Sequence, residues 1–563
     1  MKHWLAFSGI VLFGIAAVIM GERRKVDIAA SPSALLYLIA DTEQELTRMP
    51  VSFTRMSDED EIRIGNELAR YYASSRESKE DPETIEVENY LSQVGSHLTP
   101  YAHRKLPYQF HYIPDKYLIN AFALPGGHVY VGAGLLALMD SEDELAAVVG
   151  HEMEHIDHYH CAERVQREQA LHKIPFGALV ALPIEVFEAG YSKDQELEAD
   201  REGERLAVQA GYSANGAIRM FETFARLYEE YRARRARTPQ EELSDVARQT
   251  LEGYFRSHPS PAERIEQVQK MIASESWPVR PERDLLIAYV FWTAQARTDF
   301  ESGKYSRAQQ LATRSLQVKP KQEKALEVLA KAQFAQADFA AAANSYRRLL
   351  ELNPSKEDAT REYALALAAD RRSAAAEFQR WMDTLRGDKP QDLRVSAAGL
   401  DLLAGDATAA RSAIALAKAS PGEDWAPKWL ADLAWWYYLA GDYPVALELA
   451  TDAVQQRPSV NRFVTEQVWI QIENRRLADA LENLNTRYTS TIVPDRTMAR
   501  AVALWQARQQ DTALSDFQIA IERQPQWENP LWIKAVYSPL VAQSIHEMQA
   551  ERERRKVQVA GSR

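Results

Sequence analysis

The pentapeptide His151-Glu152-Met153-Glu154-His155 places two histidines four residues apart. On a helix that spacing puts both imidazoles on one face, where they can hold one metal ion together. Glu152 then points at water bound beside that ion, as a general base for hydrolysis. A catalytic zinc site needs a third protein ligand and an open position for water. The sequence offers two ways to supply that ligand.

One is a third histidine after a helix-breaking glycine. Positions 158 and 161 hold His158 and Cys161, so the glycine is missing and that arrangement fails. The other is a carboxylate from a separate helix, and Glu196-Leu197-Glu198-Ala199-Asp200-Arg201-Glu202-Gly203 provides it. Glu196 and Asp200 share a helix face, so Glu196 can ligate the ion. Asp200 can accept the second N–H of a ligating histidine and fix its tautomer. Glu198 lies on the opposite side and is the second choice of ligand. His158 and His160 follow the ligands along the same helical stretch and read as structural, since three ligands complete the site.

These residues need elements to hold them. Ser141-Glu142-Asp143-Glu144 is a capping-box start, with Ser141 as N-cap, and Leu145, Val148, Val149 and Ile156 give the following helix its apolar face. Upstream, Asn120 to Leu124 and His128 to Val131 read as two strands hinged at Pro125-Gly126-Gly127. A proline marks such a strand as an edge strand. An edge beside a catalytic helix can pair with an extended peptide by strand addition.

With 563 residues, 46% of them hydrophobic and 26% charged, the chain is long enough for two or more domains with proper cores. A formal net charge of −13 leaves no electrostatic footprint for nucleic acid, which is set aside as a partner. Cys161 is the only cysteine, so no intramolecular disulfide exists. The apolar run from Leu5 to Gly21, followed by Glu22-Arg23-Arg24-Lys25, reads as a signal peptide or a single membrane anchor, with the anchor preferred. The flanking basic residues argue weakly for a cytoplasmic catalytic domain.

From about residue 284 the chain becomes helical and alanine-rich, and it repeats. Ala308, Ala342, Ala376, Ala409, Ala446, Ala480 and Ala513 recur at intervals near 34 residues, and five of them have a proline twelve residues later. This pattern resembles the tetratricopeptide repeat, two helices and their turns with a small alanine at the crossing. Seven units would stack into a superhelix closed by a capping helix at about 530–555. Trp425, Trp429, Trp435 and Trp436 have the helical spacing of core between repeats.

The HExxH motif, the Glu196-x-Glu198-Ala199-Asp200-Arg201 segment, the Asn120 to Gly127 strand and Ser257-His258-Pro259-Ser260-Pro261-Ala262-Glu263-Arg264-Ile265 together resemble the HtpX/Oma-type gluzincin peptidases. With one N-terminal apolar segment and C-terminal repeats, the chain is most similar to the BepA-like envelope branch. The motifs span residues 60 to 270. The resemblance implies a zinc metalloendopeptidase with one Zn2+ per chain, held by His151, His155 and Glu196, with Glu152 and Asp200 in the roles above. It places His258 near the metal, either stabilising the oxyanion or closing the site at rest. Three features depart from the pattern: Glu154 adds a charge inside the motif, the stretch Ile174 to Gly190 is short, and the repeat array is long.

The expected fold is mainly α: an α+β zincin-type domain with a small sheet, followed by an all-α tetratricopeptide superhelix. The expected organisation is an anchor or signal peptide at 1–25, a linker at 26–56, the peptidase domain at 57–282 and the repeats with their cap at 283–563. The expected partners are protein or peptide substrates, a protein docked on the repeats, and the membrane through the N-terminal segment. Resemblance places the protein in the cell envelope, on the periplasmic side, acting on misfolded or stalled envelope proteins. The alternative is a repeat scaffold or chaperone whose proteolysis is latent, with His258 holding the site shut.

Overall fold

The computed structural model describes residues 56–74, 81–171, 191–233, 260–356, 358–370, 373–385, 390–420, 422–486 and 494–561. The N-terminal apolar run, almost all of segment 26–56, the stretch 174–190 and His258 lie outside the described residues. Among the described residues no helix is long and apolar enough to cross a membrane. The chain divides into two compact units, Met1–Ala288 and Tyr289–Arg563.

The first unit is helical around a three-stranded sheet. Helices α1 (Asp58–Ser74) and α2 (Pro82–Leu98) precede strand β1 (Gln109–Ile113), β2 (Ala121–Leu124) and β3 (His128–Gly132). The strand order is β1-β3-β2, with β3 parallel to β1 and antiparallel to β2. Pro125 falls in the turn between β2 and β3, and β2 is an edge strand as expected. Its residues do not alternate in exposure, because all four are buried.

After the short helix α3 (Ala133–Leu136), the HExxH motif lies on α4 (Glu142–Asp157). Ser141 caps α4 by accepting from the Glu144 amide, and three acidic residues in the first turn suit the helix dipole. The capping box is incomplete: the Glu144 carboxylate accepts from the Asp140 amide and from Arg219 instead of the Ser141 amide. Buried Asp143 accepts from the amides of Ser213 and Arg283, at 2.6 Å each. These bonds, with a bridge pairing Ser141 and Asp284, attach residues just beyond 282 to the first unit. The division at Ala288 therefore lies a little past the 282/283 boundary read from composition.

The helix carrying the motif ends sooner than the sequence suggests. His158 is its C-cap, Tyr159 takes a left-handed φ of 63°, and a separate helix α5 begins at His160 (His160–Leu171). His158 and His160 are thus not continuations of α4, and the break occurs without the glycine usually required there. Beyond it come α6 (Lys193–Gln209), α7 (Asn215–Ala233) and α8 (Pro261–Ser274).

The second unit is built from seven consecutive helix pairs, from Ala288–Glu301 with Tyr305–Val318 to Pro494–Gln506 with Gln510–Arg523. Ala308, Ala342, Ala446, Ala480 and Ala513 are fully buried at their crossings. The other two repeat alanines are exceptions. Ala376 and Ala409 are exposed, and the buried small residues are Ala374 and Ala410. The periodic alignment is out of register in those two pairs. Trp429, Trp435 and Trp436 are core residues. The closing segment is two helices, Pro530–Val536 and Pro539–Gly561, and Val541, Ile545 and Met548 bury the last apolar face.

Candidate metal centre

Helices α4 and α6 cross at a pair of glycines. A Cβ on Gly203 would stand 2.6 Å from the His151 amide nitrogen and 2.8 Å from the Gly150 carbonyl carbon, inside any real contact distance. Only glycine permits this approach. It brings the face of α6 that carries Glu196 and Asp200 against the face of α4 that carries the histidines. Ser192 and Gln195 form a complete capping box that fixes where α6 begins.

His151, His155 and Glu196 each present a ligand atom, and these atoms lie within 4.8 Å of one another. The two Nε2 atoms are 3.1 Å apart. Glu196 places Oε2 at 3.4 Å from His151 Nε2 and Oε1 at 3.7 Å from His155 Nε2. All three residues are buried, Glu196 completely. The Tyr191 amide donates to Glu196 Oε1 at 2.9 Å, and the Tyr191 ring stacks on His155.

Each imidazole is oriented from behind. His151 Nδ1 lies 2.8 Å from Asp200 Oδ1 and donates to it, which turns Nε2 toward the centre. Asp200 is itself held by Arg264, whose Nε donates to Oδ2 at 2.7 Å and whose Nη2 donates to Oδ1. His155 Nδ1 lies 2.9 Å from His160 Nδ1, and His160 Nε2 lies 3.4 Å from Glu198 Oε2. Burial pushes the His160 pKa down to about 4, so this imidazole is neutral and can accept the His155 proton.

The centre attracts positive charge. Burial opposes protonation of His151, but the hydrogen bonds and charges of Asp200 and Glu196 outweigh it and hold its pKa up at about 10. Two imidazole Nε2 atoms facing one buried carboxylate fit a divalent cation in place of that proton, and they match the donor set of three-ligand catalytic zinc sites. Beside them, burial raises the Glu152 carboxyl to about 7, where it can hold or release a proton near neutrality.

The remaining acidic groups fall elsewhere. Glu198 does not join the three ligands and faces His158 and His160. Glu154 turns away to His158, 3.2 Å from its Nε2, and groups with His103 and Asp157. The sequence read His160 only as structural, whereas it stands behind His155; Arg264, Gly150 and Gly203 had no role assigned. Arg264 was visible only as part of a motif. The Gly150-His151 and Glu202-Gly203 neighbours were the one local sign of a close helix crossing.

Residues 86–272 match the family model described as Peptidase family M48. The "Putative beta-barrel assembly-enhancing protease" of Vibrio cholerae is 30% identical over 203 residues, 32% of this chain and 40% of that protein. Mitochondrial metalloendopeptidase OMA1 of Schizosaccharomyces pombe is 32% identical over 151 residues, covering 25% and 44% of the two chains. The beta-barrel assembly-enhancing protease of Escherichia coli is 27% identical over 195 residues, covering 31% and 39%. The chain therefore spans less than half the length of these relatives. A tetratricopeptide repeat protein of Parabacteroides merdae aligns with 58% of this chain and 98% of its own, at 14% identity and a TM-score of 0.30.

Proposed function

From a metallopeptidase domain of family M48, followed by a helical repeat array, we propose a zinc-dependent endopeptidase that cleaves peptide bonds of proteins in the cell envelope. The observation that carries this reading is the convergence of His151, His155 and Glu196 with Glu152 beside them. Those three residues would hold a zinc ion, and the ion would supply Lewis acidity toward a peptide carbonyl and water.

The chain's own groups do the rest. Asp200 and His160 keep the two imidazoles in the tautomers that leave Nε2 free. Glu152, poised by burial, takes the proton of the attacking water and returns it to the leaving amine. An extended substrate pairs with the outer edge of β2, whose first residue Ala121 lines the same cavity as Glu152. The motif around residues 257–265 supports His258 as the group that stabilises the oxyanion or closes the site.

The repeats dock client proteins or an assembly machine, and the N-terminal segment attaches the protein to the membrane on its periplasmic side. The names of the bacterial relatives support this setting. Substitution Glu152→Gln tests the chemistry: the variant keeps zinc and loses cleavage, measured as metal content and peptide hydrolysis on the same sample. Hydrolysis near the wild-type rate overturns the assignment. Client capture with that variant in its native membrane then identifies what the repeats bring to the site.

A further inference from the structure

Glu196 and Asp200 continue along α6 to Glu204, one more helical step of four residues on the same buried face. Glu204 is 3% exposed, and its Oε1 has no hydrogen-bond partner among the described residues. It lines a cavity of about 40 Å³ that also includes His151 and Glu152. The other walls are largely apolar: Leu135, Val148, Met220, Phe221 and Phe224. Arg264, which also lines this cavity, donates to both oxygens of Asp200. An acceptor left bare in an apolar wall is costly to the fold, and such groups persist where a ligand satisfies them.

We propose that this cavity is the subsite for a substrate side chain flanking the cleaved bond, and that Glu204 selects side chains with an apolar stem and a hydrogen-bond donor at the tip. The inference rests on the peptidase reading above. The cavity meets the edge strand at Ala121 and the proton-transfer group at Glu152, so a peptide laid along β2 delivers the side chain next to its reacting carbonyl there. Its volume exceeds that of a water-sized group and suits a side-chain tip. Lysine, arginine, glutamine and tyrosine carry the required donor. Leucine and methionine fill the walls but leave Oε1 bare. Burial and the nearby charges of Asp200 and Asp143 raise the Glu204 carboxyl well above its usual range, in line with a site where no cation pairs with Glu204 among the described residues.

The test uses the full chain and a peptide library made from denatured protein by cleavage after glutamate, with cut sites read by mass spectrometry. Wild type, Glu152→Gln, Glu204→Leu and Glu204→Gln are compared. Wild type is expected to favour donor side chains at one position beside the cut. In Glu204→Leu the ratio of lysine or glutamine to methionine at that position falls on the order of tenfold, as expected when a buried acceptor is removed from a selective pocket. Selection of lysine over glutamine that disappears in Glu204→Gln identifies a cationic side chain, and equal use of both identifies a neutral donor. Either supports the proposal. An unchanged profile in Glu204→Leu, with cuts that still require Glu152, overturns it and leaves the peptidase reading intact. Absence of any Glu152-dependent cut overturns both. If circular dichroism shows that Glu204→Leu is unfolded, Glu204→Met, unbranched and close in size, takes its place with the same expectation.

Discussion

Asp200 Oδ1 accepts the Nδ1 proton of His151 across 2.8 Å, from a helix that begins about forty residues after the motif. The pair decides which nitrogen of His151 faces the metal centre. It is also the point where α8 enters the site, since Arg264 donates to both oxygens of the same carboxylate. The hydrogen bonds run from Arg264 through Asp200 to His151, and a second series runs from Glu198 through His160 to His155. Each supports one ligand.

Loss of the first series should weaken the metal without removing a ligand. Asp200→Asn keeps an oxygen for His151 but takes away the charge that balances Arg264. Zinc affinity should fall on the order of 10- to 100-fold, read by competition with a chelating dye. His160→Ala, which leaves the His155 Nδ1 proton without its acceptor, should fall in the same range. Affinities equal to wild type would show that these residues pack near the site without tuning it.

The glycine crossing gives a separate test of the scaffold. Gly203→Ala places a methyl group against the backbone at Gly150 and His151, which a flexible side chain cannot relieve. The helices must part, at a cost of about 3 kcal/mol, and Glu196 is carried away from the imidazoles. Chemical denaturation and metal binding should both report the loss. Gly422→Ala, with no atom within 4 Å of the added carbon, should change neither.

Much of this site was legible because its signals are local. The HExxH spacing, the i and i+4 relation of Glu196 to Asp200, and the turn at Pro125 each need only a few neighbouring residues. Arg264 reaches Asp200 across 64 residues of chain, and nothing in the periodicity of either helix specifies that meeting. The end of α4 was misread for a different reason. Tyr159 adopts a conformation that side chains disfavour, and the packing that holds it there is tertiary. The same distinction runs through the repeats. A period of 34 residues locates each helix pair, whereas slips of one or two positions at 376 and 409 depend on how neighbouring pairs pack.

That register difference is measurable. Ala446 is fully buried at its crossing, so Ala446→Leu should overpack it and cost about 2 kcal/mol. Ala409, which occupies the equivalent place in the repeat pattern, is exposed, and Ala409→Leu should stay within about 0.5 kcal/mol of wild type. Urea denaturation of the two variants should separate them. Equal destabilisation would mean that the alanine pattern, and not the observed burial, marks the crossings.

The repeat unit also carries a half-buried acid whose protonation should set a pH dependence. Burial raises Asp495 from 3.8 to about 6, and the hydrogen bond it accepts from Tyr537, at 3.0 Å, only partly opposes that shift. A carboxyl with a raised folded-state pKa favours the fold while protonated. Its contribution is complete below the unfolded value near 4 and is lost as pH rises through about 6. Asp495→Asn, which copies the neutral acid and retains an oxygen for Tyr537, should therefore be more stable than wild type at pH 7, on the order of 2 kcal/mol. The difference should shrink steadily toward pH 5 as wild type takes up its proton. Comparing the two proteins at each pH cancels the other titrating groups. A variant less stable than wild type at pH 7, or a difference independent of pH, would show that Asp495 is ionised and stabilising in the folded chain.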